Sequence, residues 1–167
     1  MSYIISPPEE TALQAHLHKL RTQLHEDPEL SWQEHRTTRL VRRELEALCL
    51  EPVPLGLPTG TAALLRGALP GPTVGLRADL DALPITERTG AEFSSRVPGV
   101  MHACGHDIHM AALLGAARLL AARREQLAGN VLFLFQPAEE AATGAMQVLE
   151  QGLFRRVPMA GMLALHV

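Results

Sequence analysis

Val131-Leu132-Phe133-Leu134-Phe135 runs directly into Gln136-Pro137-Ala138-Glu139-Glu140. Unbroken apolar character without alternation marks a strand covered on both faces, as strands of parallel sheets are. Gly129-Asn130 supplies the turn into it, and two carboxylates stand where it ends. The same form occurs at Thr73-Val74-Gly75-Leu76-Arg77-Ala78-Asp79-Leu80-Asp81, an apolar run that closes on two aspartates. Met159-Ala160-Gly161-Met162-Leu163-Ala164-Leu165 predicts a third buried strand, ending at His166.

Helical spacing fills the intervals. Leu13, Leu17, Leu20 and Leu24 share one face of a helix over residues 9–26, stopped by Asp27-Pro28. Ser31-Trp32-Gln33-Glu34 reads as a capping box opening a helix to about Leu50. His18, His25 and His35 read as surface residues of these helices. Prolines and glycines from Pro52 to Gly71 punctuate short strands at 52–55 and 61–66. A helix apolar nearly all round in its early turns starts near His106 and reaches about Gln126. Another carries Glu139 and Glu140 in its first turn and ends near Gln151. Helices alternating with buried strands predict an α/β fold, a three-layer α/β/α arrangement with a largely parallel sheet.

At 167 residues, 47% hydrophobic and 20% charged, the chain has the balance of one globular domain. A net charge of -3 offers nucleic acid no attraction, and the arginines at 36, 39, 42 and 43 read as a solvated helix face. Cys49 and Cys104 make no disulfide framework and fit a reducing compartment. The first ten residues lack a basic segment followed by a long apolar one, and nowhere is an apolar stretch long enough to span a bilayer. The expectation is a cytoplasmic protein without membrane or nucleic-acid partners.

Met101-His102-Ala103-Cys104-Gly105-His106-Asp107-Ile108-His109 concentrates a thiol, three imidazoles and a carboxylate. Singly, Cys104 reads as a small buried hydrophobe and Asp107 as a helix N-cap. Together, four potential ligands point to a divalent cation: Zn²⁺, or Mn²⁺, Co²⁺ or Ni²⁺. The positive end of the following helix is expected to lower the Cys104 pKa toward thiolate. In parallel sheets ligands bind off the carboxyl ends of the strands, where Asp79 and Asp81, Glu139 and Glu140, and His166 would join this loop. Adjacent glutamates point apart, so one is suited to bind an ion while the other handles protons of a bound water.

Leu76-Arg-Ala-Asp-Leu-Asp-Ala-Leu-Pro84, Met101-His-Ala-Cys-Gly-His-Asp107, Phe135-Gln-Pro-Ala-Glu-Glu140 and Leu165-His166-Val167, with His25-Glu-Asp-Pro-Glu-Leu30, resemble the amidohydrolase branch of the aminoacylase and carboxypeptidase family of metallopeptidases. That group includes hippurate hydrolase and hydrolases of indoleacetyl amino acids. The resemblance implies one or two divalent ions held by Cys104, His106, Glu140 and His166, with Glu139 as general base and acid and Asp81 supporting a ligand. Asp79 stands where related branches place a ligating His, and His102, Asp107 and His109 are given only a supporting part. The implied reaction is hydrolysis of the amide in a small N-acyl or N-aroyl amino acid.

Members of that group are much longer. Residues 1–167 would therefore be the amino-terminal part of a metallopeptidase-type catalytic domain, without the lid and dimerisation domain, the rest of the catalytic domain or a further His ligand. The competing readings are a non-catalytic metal-binding or interaction module derived from such an enzyme, and a thiol hydrolase with Cys104 as nucleophile. Self-association as a homo-oligomer stays open, because a half-domain exposes apolar sheet edge.

Overall fold

The computed structural model describes residues 6–167; residues 1–5, the head of the stretch that reads as lacking a secretory signal, lie outside it. Helix α1 (Pro7–Glu26) and helix α2 (His35–Ala47) precede strands β1 (Glu51–Val53), β2 (Thr61–Arg66) and β3 (Leu69–Asp79). Helix α3 (His106–Ala121) then leads to β4 (Ala128–Gln136), the short helices α4 (Gly144–Glu150) and α5 (Leu153–Arg156), and β5 (Gly161–Ala164).

The five strands form one sheet in the order β1-β2-β4-β3-β5. One half of it, β4-β3-β5, is parallel, while β1 and β2 add an antiparallel ribbon beside β4. Successive residues of a strand face opposite sides, so β4 feeds two cores. Val131, Phe133 and Phe135 pack with Leu24 of α1, Val41 of α2 and Met110 and Leu114 of α3. Leu132 and Leu134 pack on the other side with Val148 of α4 and Leu153 of α5. This is the three-layer α/β/α arrangement that the alternation of elements predicts. Among the described residues no helix is long and apolar enough to cross a membrane.

Several local expectations need correction. Ser31 and Glu34 do not cap α2, which starts at His35; both side chains turn inward instead. Glu139 and Glu140 lie in a turn before α4, not in its first turn. Strand β5 is shorter than its apolar run and mostly exposed, because it pairs with β3 on one side only and lies at the sheet edge. His25 is buried rather than on the surface, since it bonds the start of α3.

Candidate metal centre

Strand register brings the ligand-type residues to one level. Asp79, the last residue of β3, pairs with Gln136, the last residue of β4. Arg77 pairs with Ala164 of β5, so His166 comes level with Asp79 when both chains continue. Asp81, the 137–140 turn and His166 therefore leave neighbouring strands at the same edge, and α3 begins beside them.

Two buried carboxylates shape the turn that carries Glu139 and Glu140. Asp81 accepts the backbone N–H of Glu139 at 3.0 Å and of Glu140 at 2.9 Å, and also the Ser31 hydroxyl at 2.6 Å. Glu34 accepts the N–H of Ala138 at 2.7 Å and the Thr59 hydroxyl at 2.8 Å. Ala138 sits at φ 49°, a left-handed conformation costly for a residue with a side chain, which its bond to Glu34 holds in place. Gly144 closes the turn where no other residue fits, since a Cβ there would lie 1.6 Å from the Pro137 carbonyl oxygen.

The Cys-Gly-His segment is shaped by Gly105, which at φ 77° immediately precedes α3 and lets the chain fold Cys104 back over the helix start. His106 is fully buried, and its Nδ1 donates to the Asp81 carbonyl at 2.8 Å. That bond leaves Nε2 as the free lone pair. Facing Nε2 are Asp79 at 3.6 Å, Glu139 at 3.7 Å and Glu140 at 3.8 Å. His166 Nδ1 bonds the Val167 oxygen at 2.8 Å, which turns its Nε2 toward the Cys104 sulfur at 3.5 Å. Donor atoms of Cys104, His106 and His166 lie within 4.8 Å of one another, as do those of His106, Glu139 and Glu140. Glu139 is the more exposed glutamate, 37% against 20% for Glu140.

Electrostatics at this spot favour a positive guest. Burial pushes His106 toward the neutral form, but its bond to Asp81 and the charge of Asp79 outweigh burial and raise its pKa. Burial, then Glu140, Glu139 and Asp79, push the Cys104 thiol above its ordinary value, contrary to the lowering expected from the helix end. Nε2 of His106 and Oε1 of Glu140 are buried without a hydrogen-bond partner. Unpaired lone pairs, a thiol and converging carboxylates fit a divalent cation of the kind that accepts S, N and O ligands.

Around the donors lies a second set of contacts. Asp79 pairs with Arg77 at 2.9 Å and accepts from His109 Nδ1 at 2.6 Å. Asp107, buried at the start of α3, accepts from Arg21 and from His25, each at 2.8 Å, which ties α1 to the metal loop. His102 is buried with neither ring nitrogen bonded, and desolvation lowers its pKa to about 4. The structure thus brings Asp81, Cys104, His106, Glu139, Glu140 and His166 together. Ser31, Glu34 and Thr59 are the contributors that sequence reasoning missed; Glu34, directly before α2 and flanked by Gln33 and His35, carried no apolar-context signal to mark it as buried.

Fold and donor set define an α/β domain built around a cation-type site at the carboxyl ends of parallel strands. The profile of peptidase family M20/M25/M40 matches residues 75–167, and the chain belongs to that family. It is 50% identical over 147 residues to an N-acetylcysteine deacetylase of Bacillus subtilis, covering 87% of this chain and 39% of that protein. It is 46% identical over 154 residues to an IAA-amino acid hydrolase of Arabidopsis thaliana, covering 92% of this chain and 32% of that one. The crystal structure of Bacillus subtilis YXEP protein, described as a dinuclear metal binding peptidase from the M20 family, superposes with a TM-score of 0.89 at 46% identity, over 93% of this chain and 43% of that chain. The chain spans less than half the length of each of these relatives.

Proposed function

We propose that residues 1–167 form the amino-terminal, metal-bearing part of the catalytic domain of a metal-dependent amidohydrolase that cleaves N-acyl or N-aroyl amino acids, hippurate-like ones included. The observation that carries this reading is the clustering of donor atoms in two triads that share His106: Cys104, His106 and His166 on one side, and His106, Glu139 and Glu140 on the other. Relatives that bear the names of a deacetylase of N-acetylcysteine and a hydrolase of IAA-amino acids support the amide as the bond attacked.

Cys104, His106, Glu140 and His166 would hold one or two divalent ions, Zn²⁺, Mn²⁺, Co²⁺ or Ni²⁺. A bound cation supplies acidification of a water and polarisation of the scissile carbonyl. Glu139, the more exposed of the pair, takes a proton from the attacking water and delivers it to the departing nitrogen. The water oxygen bonds to the carbonyl carbon as the C–N bond breaks, and a carboxylic acid and an amino acid leave. Asp81 supports the reaction without touching substrate, by holding the backbone of both glutamates and orienting His106.

The remaining catalytic segments, a lid and a further His ligand belong to the longer protein in this reading. Free Cys49 and Cys104 fit a cytoplasmic setting. The test is hydrolysis of hippurate and acetylated amino acids by the full-length protein, with and without chelator and with Mn²⁺ or Zn²⁺ restored. Release of the amino acid that stops with chelation and returns with metal is expected. Turnover indifferent to complete metal removal overturns the reading, and metal binding without turnover of any acyl amino acid favours a non-catalytic module.

A further inference from the structure

His109, one turn into α3, offers a ring nitrogen within 4.8 Å of donor atoms of Asp79 and His106, yet both of its ring nitrogens are already engaged within the protein. Nδ1 meets the Asp79 carboxylate at 2.6 Å, and Nε2 accepts the backbone N–H of Val167 at 3.1 Å. An amide N–H only donates, so Nε2 carries the lone pair and Nδ1 the proton. Asp79, which only accepts, selects that tautomer. Val167 in turn offers its oxygen to His166 Nδ1 at 2.8 Å, and the bond leaves His166 Nε2 facing Cys104. The His109 and His166 rings lie 4.8 Å apart, edge to face.

These contacts form one continuous line: Asp79, His109, the main chain of Val167, His166. The end of that line needs help from outside its own strand. His166 follows the edge strand β5 and is itself exposed, with its ring meeting those of His109 and His106 edge to face. His109 is buried and rooted in a helix of the main core.

We propose that His109 is a positioning residue for the donor from β5: it holds the main chain of Val167 and thereby aims His166 at the cation site, with Asp79 setting the tautomer that makes this hold available. The inference rests on the metal-centre reading given above for the role of His166, but the hold itself does not. Residues that orient ligands from outside the ligand set change metal affinity by about 10- to 100-fold when lost.

Two conservative substitutions separate the halves of the contact. His109→Asn keeps a donor near Asp79 and removes the acceptor for Val167. His109→Gln keeps an acceptor at the Nε2 position and removes the donor. Binding of Co²⁺ to the full chain, by titration calorimetry and by the Co²⁺ ligand-field spectrum, is measured for the parent, both variants, His166→Ala and the His109→Asn/His166→Ala pair. Amide hydrogen exchange at Val167 is followed without metal. His109→Asn is expected to weaken Co²⁺ binding about 10- to 100-fold, to alter the spectrum as His166→Ala does, and to deprotect the Val167 amide. His109→Gln stays near the parent on all three, and the pair is no weaker than His166→Ala alone. Parent-like binding by His109→Asn, or a loss that adds in full to that of His166→Ala, overturns the proposal. If the parent itself binds no Co²⁺, the metal-centre reading fails separately, and Val167 exchange decides the hold: deprotection in His109→Asn but not in His109→Gln sustains it, and unchanged exchange sinks it.

Discussion

The carboxylate of Asp81 accepts the backbone N–H of Glu140 at 2.9 Å, so a residue at the end of β3 fixes the main chain of a donor at the end of β4. Glu139 N–H and the Ser31 hydroxyl share that carboxylate, and the Asp81 carbonyl orients His106. One aspartate thus sets the position of three of the site's side chains.

Asp81 should make stability acid-sensitive. Burial raises its pKa, but bonds to His106, Ser31, Glu140 and Glu139 outweigh burial and leave it at about 2, below the ordinary 3.8. A folded-state pKa below the unfolded one means the contribution is complete above pH 3.8 and is lost as pH falls toward 2. The contribution is about 2 kcal/mol. Asp81→Asn should flatten the stability curve in that window, unfold earlier at neutral pH, and weaken metal binding about 10- to 100-fold. Urea melts across pH 2 to 7 check the first two outcomes, and a retained acid slope counts against this assignment.

Glu34 predicts the opposite sign. Burial raises its pKa despite bonds to Ala138 and Thr59. The folded state therefore keeps a proton that the unfolded chain releases, and stability declines as pH rises from 4.5 through the raised value. Glu34→Gln keeps an acceptor for Ala138 and places its amide against Thr59, so it should fold and lose this decline. Glu34→Ala leaves the Ala138 N–H unsatisfied and a hole behind it, at a cost of about 3 kcal/mol. Thermal melts of both variants at pH 5 and pH 8 give the comparison; equal pH slopes for Glu34→Gln and the parent would refute it.

Much of this architecture is written in short-range pattern. The apolar runs ending near Asp79, Glu139 and His166 mark parallel strands whose carboxyl ends are side by side, but only the β4 run is buried on both faces; most of β3 and β5 is exposed or half-buried, contrary to the buried strands their apolar content predicts. The spacing in Ser31-Trp32-Gln33-Glu34 misleads for a physical reason: a cap and an inward hydrogen bond use the same residue types, and only distant partners decide between them, Asp81 for Ser31 and Ala138 and Thr59 for Glu34. His25 and Asp107 are likewise paired across the fold, with nothing local to each to show it. Apolar content over 159–165 predicts a longer strand than Gly161–Ala164, because it does not reveal whether a strand has one neighbour or two.

Metal removal should be visible in both spectrum and stability. A Co²⁺-loaded chain is expected to show a thiolate-to-metal charge-transfer band that Cys104→Ser abolishes, since the sulfur lies among the donor atoms. Binding also releases the thiol proton, whose pKa is raised by burial and by Glu140, so affinity should climb steeply with pH. Saturating metal at about 100 times its dissociation constant adds about 2.7 kcal/mol, and a chelator returns the melting temperature to the metal-free value. A charge-transfer band that survives in Cys104→Ser would remove the sulfur from the ligand set.

Strand β5 presents Leu163 at 68% exposure and Leu165 at 82%, beside the half-covered Val74 of β3, on an edge with unpaired backbone N–H and C=O groups. Edges of this kind template pairing with another chain unless a charge or a proline blunts them, and here neither is present between Gly161 and Leu165. The 167-residue chain alone should therefore associate as its concentration rises, through added strand hydrogen bonds and buried leucine surface. Leu163→Lys with Leu165→Lys puts two like charges on the edge and should shift the chain toward monomer. The sheet interior stays unchanged, because the two leucines contribute to neither buried core. Light scattering across a concentration series reads the outcome: equal association of parent and double variant would place the contact elsewhere, and a parent that stays monomeric throughout would show that the β5 edge is closed to pairing.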